Sequence, residues 1–320
     1  MRFEYSAGGF VYRVEKGRVL MLFLINKEGK IGSPKGHIEK GEHAAEAAQR
    51  EIREESGLNV EFIPYFKVKT KYFFMHRNEK ILKELTLFLA RTSSAKVRVS
   101  DEHEDFVWLD REGALSRNDY KDMGMLIGKA FDYIGRYEAM RKVNAEYEEL
   151  RKKHREWDLS HKFVPGDGPL DAKVMVVGQA PGANEDLLQK PFVGRSGQIL
   201  TAMLKLAKLK REEVYITSCV QYFPPKNRLP TKTEVAAFKH LLFEQLGIVR
   251  PKFVIIVGNL SCHTLLGYDK VRENHGKIVR KDGITYFITF HPAMALRSSK
   301  VVAELMRQDF KKIGEKISGT

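Results

Sequence analysis

The stretch GHIEKGEHAAEAAQREIREESGL, residues 36–58, decides how the first part of this chain folds. Residues 44–55 within it are strong helix formers without an interior Gly or Pro, which predicts a helix of about three turns. Gly57 follows where a helix-ending glycine belongs. The spacings i, i+3 and i+4 place three carboxylates on one face of that helix, namely Glu51, Glu54 and Glu55.

This acidic helix face has two interpretations. Like charges at helical spacing repel one another, and a hard divalent cation that prefers oxygen ligands, such as Mg²⁺, would relieve the repulsion. An isolated acidic face of this kind is more often simply solvated. The pattern around it is far longer, however. It reads Gly, five residues, Glu, seven residues, and then Arg-Glu-apolar-x-Glu-Glu-x-Gly-apolar.

With every fixed position of that pattern filled, the segment resembles the Nudix box of the MutT-like pyrophosphohydrolases. The resemblance implies an α/β/α sandwich with a mixed sheet, and metal-dependent cleavage of the P–O–P bonds of nucleoside polyphosphates. It implies that Mg²⁺ or Mn²⁺ is held by Glu51, Glu54 and Glu55 together with the carbonyl of Gly36. Arg50 would orient the glutamates through charged hydrogen bonds.

Substrate contacts follow from the same resemblance. The run PKGHIEKGE, residues 34–42, is similar to dinucleoside polyphosphate hydrolases, in which Lys35 and His37 would contact phosphate and Tyr72 would stack on adenine. An oxidised deoxynucleoside triphosphate is the other substrate class considered. Tyr72 could instead belong to the core of its strand, as alternating aromatic residues usually do.

A further acidic residue is expected in the loop DEHE, residues 101–104. Many Nudix enzymes place an additional glutamate at such a position as a base or a metal ligand. Glu102 is the preferred candidate and Glu104 the alternative. A solvated acidic loop is the competing interpretation.

The remaining pattern of residues 1–135 predicts an α/β unit with strands and flanking helices. The predicted elements, in order, are a hairpin over Phe10–Tyr12 and Val19–Ile25, strands Phe62–Tyr72 and Leu85–Ala90 joined across His76–Lys80, a strand Phe106–Leu109 and a helix Asp119–Ile134. This set agrees with the sandwich that the resemblance implies.

Length and composition indicate an ordinary protein of about two domains. The chain has 320 residues, 43% hydrophobic and 30% charged. No apolar run is long enough to span a membrane, and residues 1–14 lack the pattern of a secretory signal. Two cysteines are too few for a disulfide framework, which favours buried thiols and a cytoplasmic location. We expect a domain at 1–137 and a second at 138–320.

The net charge of +14 is unevenly distributed. Residues 1–135 carry 23 Lys and Arg against 21 Asp and Glu, which leaves 32 (55 − 23) against 20 (41 − 21) for the remainder. A near-neutral first part and a basic second part suggest different partners, and a polyanion such as nucleic acid suits the second. Between them, the charged segment Arg136–Trp157 predicts a solvent-exposed helix that joins two domains.

Strands alternate with helices from about residue 145 onward. The predicted strands are Lys173–Val177, Val214–Val220, Phe253–Val257 and Thr285–Phe290, and the predicted helices are Gly197–Leu209 and Glu234–Leu246. This order indicates a parallel sheet covered on both faces, with ligands bound beyond the carboxyl ends of the strands.

The motifs at those strand ends, GQAPGANED, PFVG, PPKNR and HPAMALR, resemble the uracil-DNA glycosylase superfamily, and family 4 in particular. The resemblance implies a three-layer α/β/α domain that acts on an extruded base. By position, Phe192 would stack on that base and His291 would stabilise the charge on the departing base. The pocket would be lined by Gly178, Gln179, Ala180, Pro181 and Gly182.

Departures from the family pattern bear on activity. Family 4 members carry four cysteines for a [4Fe–4S] cluster, and those positions fall near Arg151 and His154 and at Tyr222 and Phe238, so no iron–sulfur cluster is expected. The usual loop glutamate is Gln179. The asparagine that reads the uracil edge is Ser218, whose hydroxyl is shorter and makes fewer hydrogen bonds.

Two functions remain open for this half. It is either a glycosylase of altered specificity for single-stranded or damaged DNA, or a DNA- or nucleotide-binding module that does not cut. Together with the first half, the leading hypothesis is a bifunctional nucleotide-pool and DNA maintenance protein.

Overall fold

The computed structural model describes residues 2–76, 79–297 and 300–319. The chain divides into two compact units, Met1–Gly135 and Arg136–Thr320. In the described part of the chain, no helix is both long and apolar enough to cross a membrane.

The first unit is built on a mixed sheet of seven strands. Its elements are β1 Arg2–Glu15, β2 Arg18–Ile25, β3 Ile31–Gly32, β4 Lys35–His37, α1 Ala44–Ser56, β5 Glu61–His76, β6 Glu79–Arg91, β7 Asp105–Leu109, α2 Arg111–Ser116 and the start of α3 Lys121–Lys153. The strand order is β3-β2-β1-β6-β5, with β4 on β1 and β7 on β2. The pair β1–β6 is parallel and the other pairs are antiparallel.

The predicted elements of this unit are confirmed with longer strands. The hairpin β1–β2 turns at Lys16 and Gly17, where φ is 47° and 79°. The predicted connection across His76–Lys80 lies partly outside the described residues. Helix α1 begins after a capping box at His43 and ends at Gly57, whose φ of 69° and N–H bond to the carbonyl of Arg53 form a left-handed cap.

The helix predicted over Arg136–Trp157 is present as far as Lys153, but the prediction that it is solvent-exposed is wrong for one of its faces. Helix α3 ends at Lys153, and several of its residues are buried in the second unit, namely Met140, Val143, Tyr147 and Arg151. Their spacing of three to four residues places them on one helix face, between charged residues that occupy the other faces. Because charged residues are interleaved with these four, the sequence pattern did not indicate a narrow buried face.

The second unit is a five-stranded sheet with helices. Its elements after α3 are β8 Val174–Gly178, α4 Ala183–Leu188, α5 Arg195–Leu206, β9 Val214–Ser218, α6 Lys232–Val249, β10 Phe253–Val257, α7 Asn259–Leu266, α8 Val271–Asn274, β11 Ile278–Lys281, β12 Ile284–Thr289, α9 Pro292–Arg297 and α10 Lys300–Ser318. The order is β11-β12-β10-β8-β9.

Four of these five strands are parallel, as predicted, but the edge strand β11 runs antiparallel to β12. Every residue of β8, β9 and β10 is buried, as expected for strands covered on both faces. The chain passes from β8 to β9 on one side and then to β10 on the other. The switch point therefore lies at the carboxyl end of β8, where such sheets bind ligands.

A block of aromatic side chains packs against one side of this unit. We call it the aromatic block; it consists of Tyr147, Trp157, Phe163, Tyr222 and Phe238. Neighbouring rings lie 5.5–5.8 Å apart between centroids. The two cysteines, Cys219 and Cys262, are free and buried, and burial raises the pKa of Cys219 to about 12.

Candidate active sites

In the first unit, Glu51 on α1 lies directly over Gly36 on β4. A Cβ atom built on Gly36 would stand 2.0 Å from Oε1 of Glu51, far inside contact distance. Strand β4 is held in place by pairing with β1, in which Gly36 faces Ala7. Only glycine therefore allows this carboxylate to approach the backbone of residue 36.

Arg50 donates hydrogen bonds to three carboxylates around it. Its guanidinium donates to both oxygens of Glu42 at 3.0 Å, and to Glu51 at 2.7 Å and Glu54 at 3.0 Å. It also donates to the carbonyl oxygen of His37 at 3.0 Å. This network joins α1 to the loop before it and fixes the directions of two of the predicted metal ligands.

Glu55 has a different environment. It is buried, and its Oε2 accepts a hydrogen bond from the backbone N–H of Lys35 at 2.8 Å. Burial raises the pKa of Glu55 to about 7, and the carboxylates of Glu51 and Glu102 add to the rise. Glu102, the preferred candidate of the acidic loop, is thus among the charges that act on Glu55.

The donor set suits a hard divalent cation, because it consists of carboxylate oxygens around a glycine that leaves them room. As the side chains stand, no three His, Cys, Asp or Glu side chains of the described ranges converge as a metal-holding group. Arg50 holds Glu51 and Glu54 through its Nη1. Cation binding would require these carboxylates to exchange an arginine contact for a metal contact.

A cavity of about 690 Å³ opens beside Lys35. Tyr72 and Tyr120 both line it, over an apolar floor that includes Leu85 and Leu87. Burial raises the pKa of Tyr72, with Glu4 and Tyr120 adding to the rise. Tyr72 is thus part of a cavity wall rather than the core. Tyr120 was not predicted from the sequence. Its position just before the start of α3 was the available signal.

His37 is exposed, and its Nε2 lies 2.9 Å from Oε2 of Glu4. Any phosphate contact by His37 must compete with this partner.

Gly36→Ala is expected to lower the hydrolytic rate by about 10²-fold, because the added methyl group displaces the carboxylate of Glu51 and misplacement by about 1 Å can cost that much. The measurement is steady-state turnover of a nucleoside polyphosphate. Gly135→Ala is the matched control, since a Cβ there meets no described atom within 4 Å and Gly135 does not line that cavity. Normal activity of Gly36→Ala would contradict this role for the Glu51 contact.

In the second unit, a cavity of about 540 Å³ lies beyond the carboxyl ends of β8, β9 and β12. The predicted residues that line it are Gln179, Ala180, Pro181, Gly182, Phe192, Ser218 and His291. Gly178 lies beneath the ring of Phe192, because a Cβ there would be 2.6 Å from Cζ. Phe192 has a left-handed φ of 51°, and its ring centroid is 5.9 Å from that of His291.

His291 has a defined ring tautomer. The backbone N–H of Ala293 donates to Nδ1 at 3.2 Å, so in the neutral ring the proton is on Nε2. Gly258, with φ of 102°, lies between Gln179 and His291; a Cβ there would be 3.0 Å from Nε2 of Gln179 and 3.1 Å from Cβ of His291. A strand-end glycine thus brings the two side chains together.

Glu185 is a residue that the sequence interpretation missed. It is buried, and its two oxygens accept hydrogen bonds from the backbone N–H groups of Gly182 at 3.1 Å and Gly194 at 2.7 Å. It therefore ties the GQAPG loop to the PFVG segment. The signal was present in the sequence, because a glutamate three residues after a helix N-cap is the spacing of a capping box.

The rim of this cavity is held by an ion pair. Arg228 donates two hydrogen bonds, at 2.7 and 2.8 Å, to the buried carboxylate of Glu234, which also accepts from the backbone N–H of Thr231 at 2.7 Å. The preceding residues Lys226 and Asn227 have left-handed φ values of 53° and 57°. Such backbone strain persists only where the surroundings enforce it.

Glu234→Gln is expected to lower the free energy of unfolding at pH 7 by about 1–3 kcal/mol, the range for hydrogen bonds to charged groups. Burial alone would raise the pKa of Glu234, but bonds from Arg228 and the backbone of Thr231 outweigh it and the pKa is lowered. The stabilisation is therefore present above the ordinary glutamate pKa and is lost as pH falls through the lowered value. Urea unfolding of both proteins from pH 7 to pH 3 should show the difference shrink; a constant difference would contradict this assignment.

The side chains that the family resemblance places at or near the four cysteine positions of family 4 do not fit an iron–sulfur cluster. Tyr222 and Phe238 are buried rings, 5.8 Å apart between centroids. Arg151 donates to the carbonyl oxygens of His154, Leu159 and Ser160 at 2.6–3.2 Å. Aromatic packing and a buried guanidinium occupy the region where thiolates would be needed.

Comparisons with known proteins give separate matches for the two parts of the chain. The NUDIX domain model matches residues 3–127 and the uracil DNA glycosylase superfamily model matches residues 165–316. A type-4 uracil-DNA glycosylase of Sulfurisphaera tokodaii is 37% identical over 176 residues, which cover 51% of this chain and 79% of that protein.

The first part of the chain has relatives of its own. The asymmetrical bis(5'-nucleosyl)-tetraphosphatase of Caenorhabditis elegans is 30% identical over 127 residues, which cover 39% of this chain and 91% of that protein. The crystal structure of a C. elegans Ap4A hydrolase binary complex matches at 26% identity with a TM-score of 0.35, over 39% of this chain and 93% of that one.

Proposed function

This chain belongs to the Nudix family through its first unit and to the uracil-DNA glycosylase superfamily through its second, and on that basis we propose that it maintains nucleic acids at two levels. The first unit would hydrolyse nucleoside polyphosphates, and the second would act on bases in DNA. The observation that carries the first proposal is the approach of Glu51 to Gly36, held by the bonds of Arg50.

The Nudix unit would use Mg²⁺ or Mn²⁺, held by Glu51, Glu54 and Glu55 with the carbonyl of Gly36. When bound, such a cation supplies positive charge that polarises phosphoryl oxygens and activates water. Arg50 keeps the carboxylates aligned when no cation neutralises them. Glu102 is the candidate for accepting a proton from the attacking water.

For the substrate we propose a dinucleoside polyphosphate, with an oxidised deoxynucleoside triphosphate as the second class. The cavity lined by Tyr72 and Tyr120 offers two aromatic side chains beside Lys35, which suits a base next to a phosphate chain. The C. elegans relative, named as a tetraphosphatase, supports the first class.

A panel of nucleotides with Mg²⁺, scored by product analysis, tests this proposal. We expect a dinucleoside tetraphosphate to be cleaved fastest, with ¹⁸O from labelled water in one phosphate product. Faster turnover of 8-oxo-dGTP would favour the second class. No turnover of any member, at concentrations where the nucleotide binds, would overturn the hydrolase proposal.

For the second unit we propose excision of a base extruded from single-stranded or damaged DNA, without an iron–sulfur cluster. Phe192 would stack on the base, and the Nε2 proton of His291 would stabilise charge on the departing base. Two features support this: the ring of Phe192 lies 5.9 Å from His291, and the Nδ1 bond fixes the tautomer. Release of uracil from a single-stranded oligonucleotide, lost in His291→Ala, is the test.

A DNA-binding module that excises nothing is the second candidate. It is favoured by Ser218, whose short hydroxyl replaces a bidentate amide, and by Gln179, which brings no charge to the cavity. Salt-sensitive DNA binding without release of any tested base would support this candidate over the first.

A further inference from the structure

A second cavity of the glycosylase-like unit, of about 600 Å³, lies outside the base pocket. We call it the basic groove; its main lining residues are Lys152, Arg155, His161, Lys162, Phe163 and Gln189. The lining also includes the buried Arg151 and one carboxylate, Glu148. Four permanent cations therefore face one acidic group.

Two of the groove cations have no internal partner. Within the described part of the chain, the side chains of Arg155 and Lys162 form no ion pair or hydrogen bond, whereas Lys152 is paired with Glu149 at 2.8 Å. Exposed cations gathered around a concave surface attract a polyanion. The groove thus offers positive charge without an internal partner.

The wall that carries these cations is held in place by hydrogen bonds and aromatic packing. Arg151, at the end of α3, donates to the carbonyl oxygens of His154, Leu159 and Ser160, which closes the segment that follows the helix. Trp157 and Phe163 anchor the same segment in the aromatic block. Ordering of the segment before any ligand arrives lowers the entropic cost of binding.

The groove also has an aromatic surface. Phe163 is half-buried and lines the cavity, and its carbonyl oxygen accepts a hydrogen bond from Nε2 of Gln189 at 3.2 Å. Cations that follow a backbone, together with an aromatic ring that can stack on a base, are the features of single-strand binding surfaces.

Helix α4 connects the groove to the base pocket. Ala183, Asn184 and Glu185 at its start line the base pocket, and Gln189, which caps its end, lines the groove. A helix of six residues is about 9 Å long, which corresponds to two or three nucleotides at 3.4 Å per step. Its exposed Leu187 and Leu188 would face a strand that passes between the two cavities.

We propose that the basic groove binds the backbone of single-stranded DNA two or three nucleotides from the base held in the pocket, with Arg155 and Lys162 on phosphates and Phe163 against a base. This rests on the proposed action of the unit on DNA. It assigns a DNA contact to residues that take no part in base chemistry.

The test uses the full chain and a labelled 15-nucleotide single strand without any damaged base, with binding followed by fluorescence anisotropy. Arg155→Glu/Lys162→Glu should weaken binding at least tenfold at 0.1 M salt. It should also lower the slope of log K against log salt by about 1.4, because each single-strand contact contributes about 0.7. The neutral pair Arg155→Gln/Lys162→Gln should show a smaller loss in the same direction.

Arg280→Glu/Lys281→Glu is the matched control, because it changes the net charge equally on the exposed edge strand β11. It should alter affinity by less than about threefold. Equal losses in the two charge-reversed proteins, or no loss in the groove protein, would overturn the proposal. Tighter binding of the matching duplex would overturn the single-strand assignment. Base release is measured separately, so a pocket that releases no base leaves the groove result intact.

Discussion

Glu54→Gln is expected to lower the Mg²⁺-dependent hydrolysis of nucleoside polyphosphates by about 10²–10³-fold. A metal site contributes several kcal/mol of transition-state stabilisation, and about 3–4 kcal/mol corresponds to that factor. Glu54 is the most exposed of the three glutamates, with 59% of its side chain accessible, and it is held by Nη1 of Arg50. The change removes one negative charge while Arg50 keeps its bonds to Glu42 and Glu51.

Because those bonds remain, the fold should be unaffected and the loss should appear in kcat and in metal affinity. Titration with Mn²⁺ by electron paramagnetic resonance provides the second measurement, and weaker binding is expected there. Glu61→Gln is the control, since Glu61 is exposed and its side chain forms no hydrogen bond or ion pair within the described residues. Unchanged turnover in Glu54→Gln would refute its assignment as a metal ligand.

Phe238→Ala should destabilise the glycosylase-like unit by about 3–5 kcal/mol, the usual cost of removing a buried aromatic ring. Phe238 is fully buried and lies within 5.5–5.8 Å of the rings of Tyr147, Trp157 and Tyr222. The ring also stands at one of the positions where family 4 members carry a cluster cysteine. Removing it should therefore loosen the segment that α3 and the aromatic block hold together.

The measurement is urea unfolding followed by the fluorescence of Trp157 in a Trp108→Phe background, so that one tryptophan reports on this unit. Phe243→Ala on the same helix is the matched control, because Phe243 is 40% exposed. Its cost should stay below about 1 kcal/mol, as for most surface substitutions. A similar small loss in Phe238→Ala would show that the aromatic block does not stabilise this region.

The secondary-structure elements that were predicted correctly are those that depend on local sequence patterns. The helix from Ala44 and its cap at Gly57 follow from helix propensity and a left-handed glycine, which depend on neighbours within four residues. The buried strands β8 and β10 follow from unbroken apolar runs. The helix over Arg136–Trp157 was predicted as exposed and its buried face was missed, because a narrow buried face needs a partner surface that the local pattern does not reveal.

The candidate sites show the same division between features that local sequence patterns predict and features that depend on tertiary contacts. The sequence predicted the glutamates of α1, the GQAPG loop and His291 as site residues, because their spacing is a property of the chain, and these assignments stay predictions. It did not predict the positions of Tyr120 and Glu185. Tyr120 lines the cavity beside Lys35, and Glu185 joins two backbone N–H groups.

The sequence by itself determined the two families, the order of the main strands and helices that it predicted, and the residue types at the ends of those strands, since all of these depend on short-range spacing. Only the tertiary structure decided that Glu55 is buried beside Lys35 while Glu54 is exposed, and that Arg151 and Phe238 fill the region of the absent cysteines. The physical reason is that burial, pKa and hydrogen-bond partners depend on residues far apart in the chain, which only folding brings together.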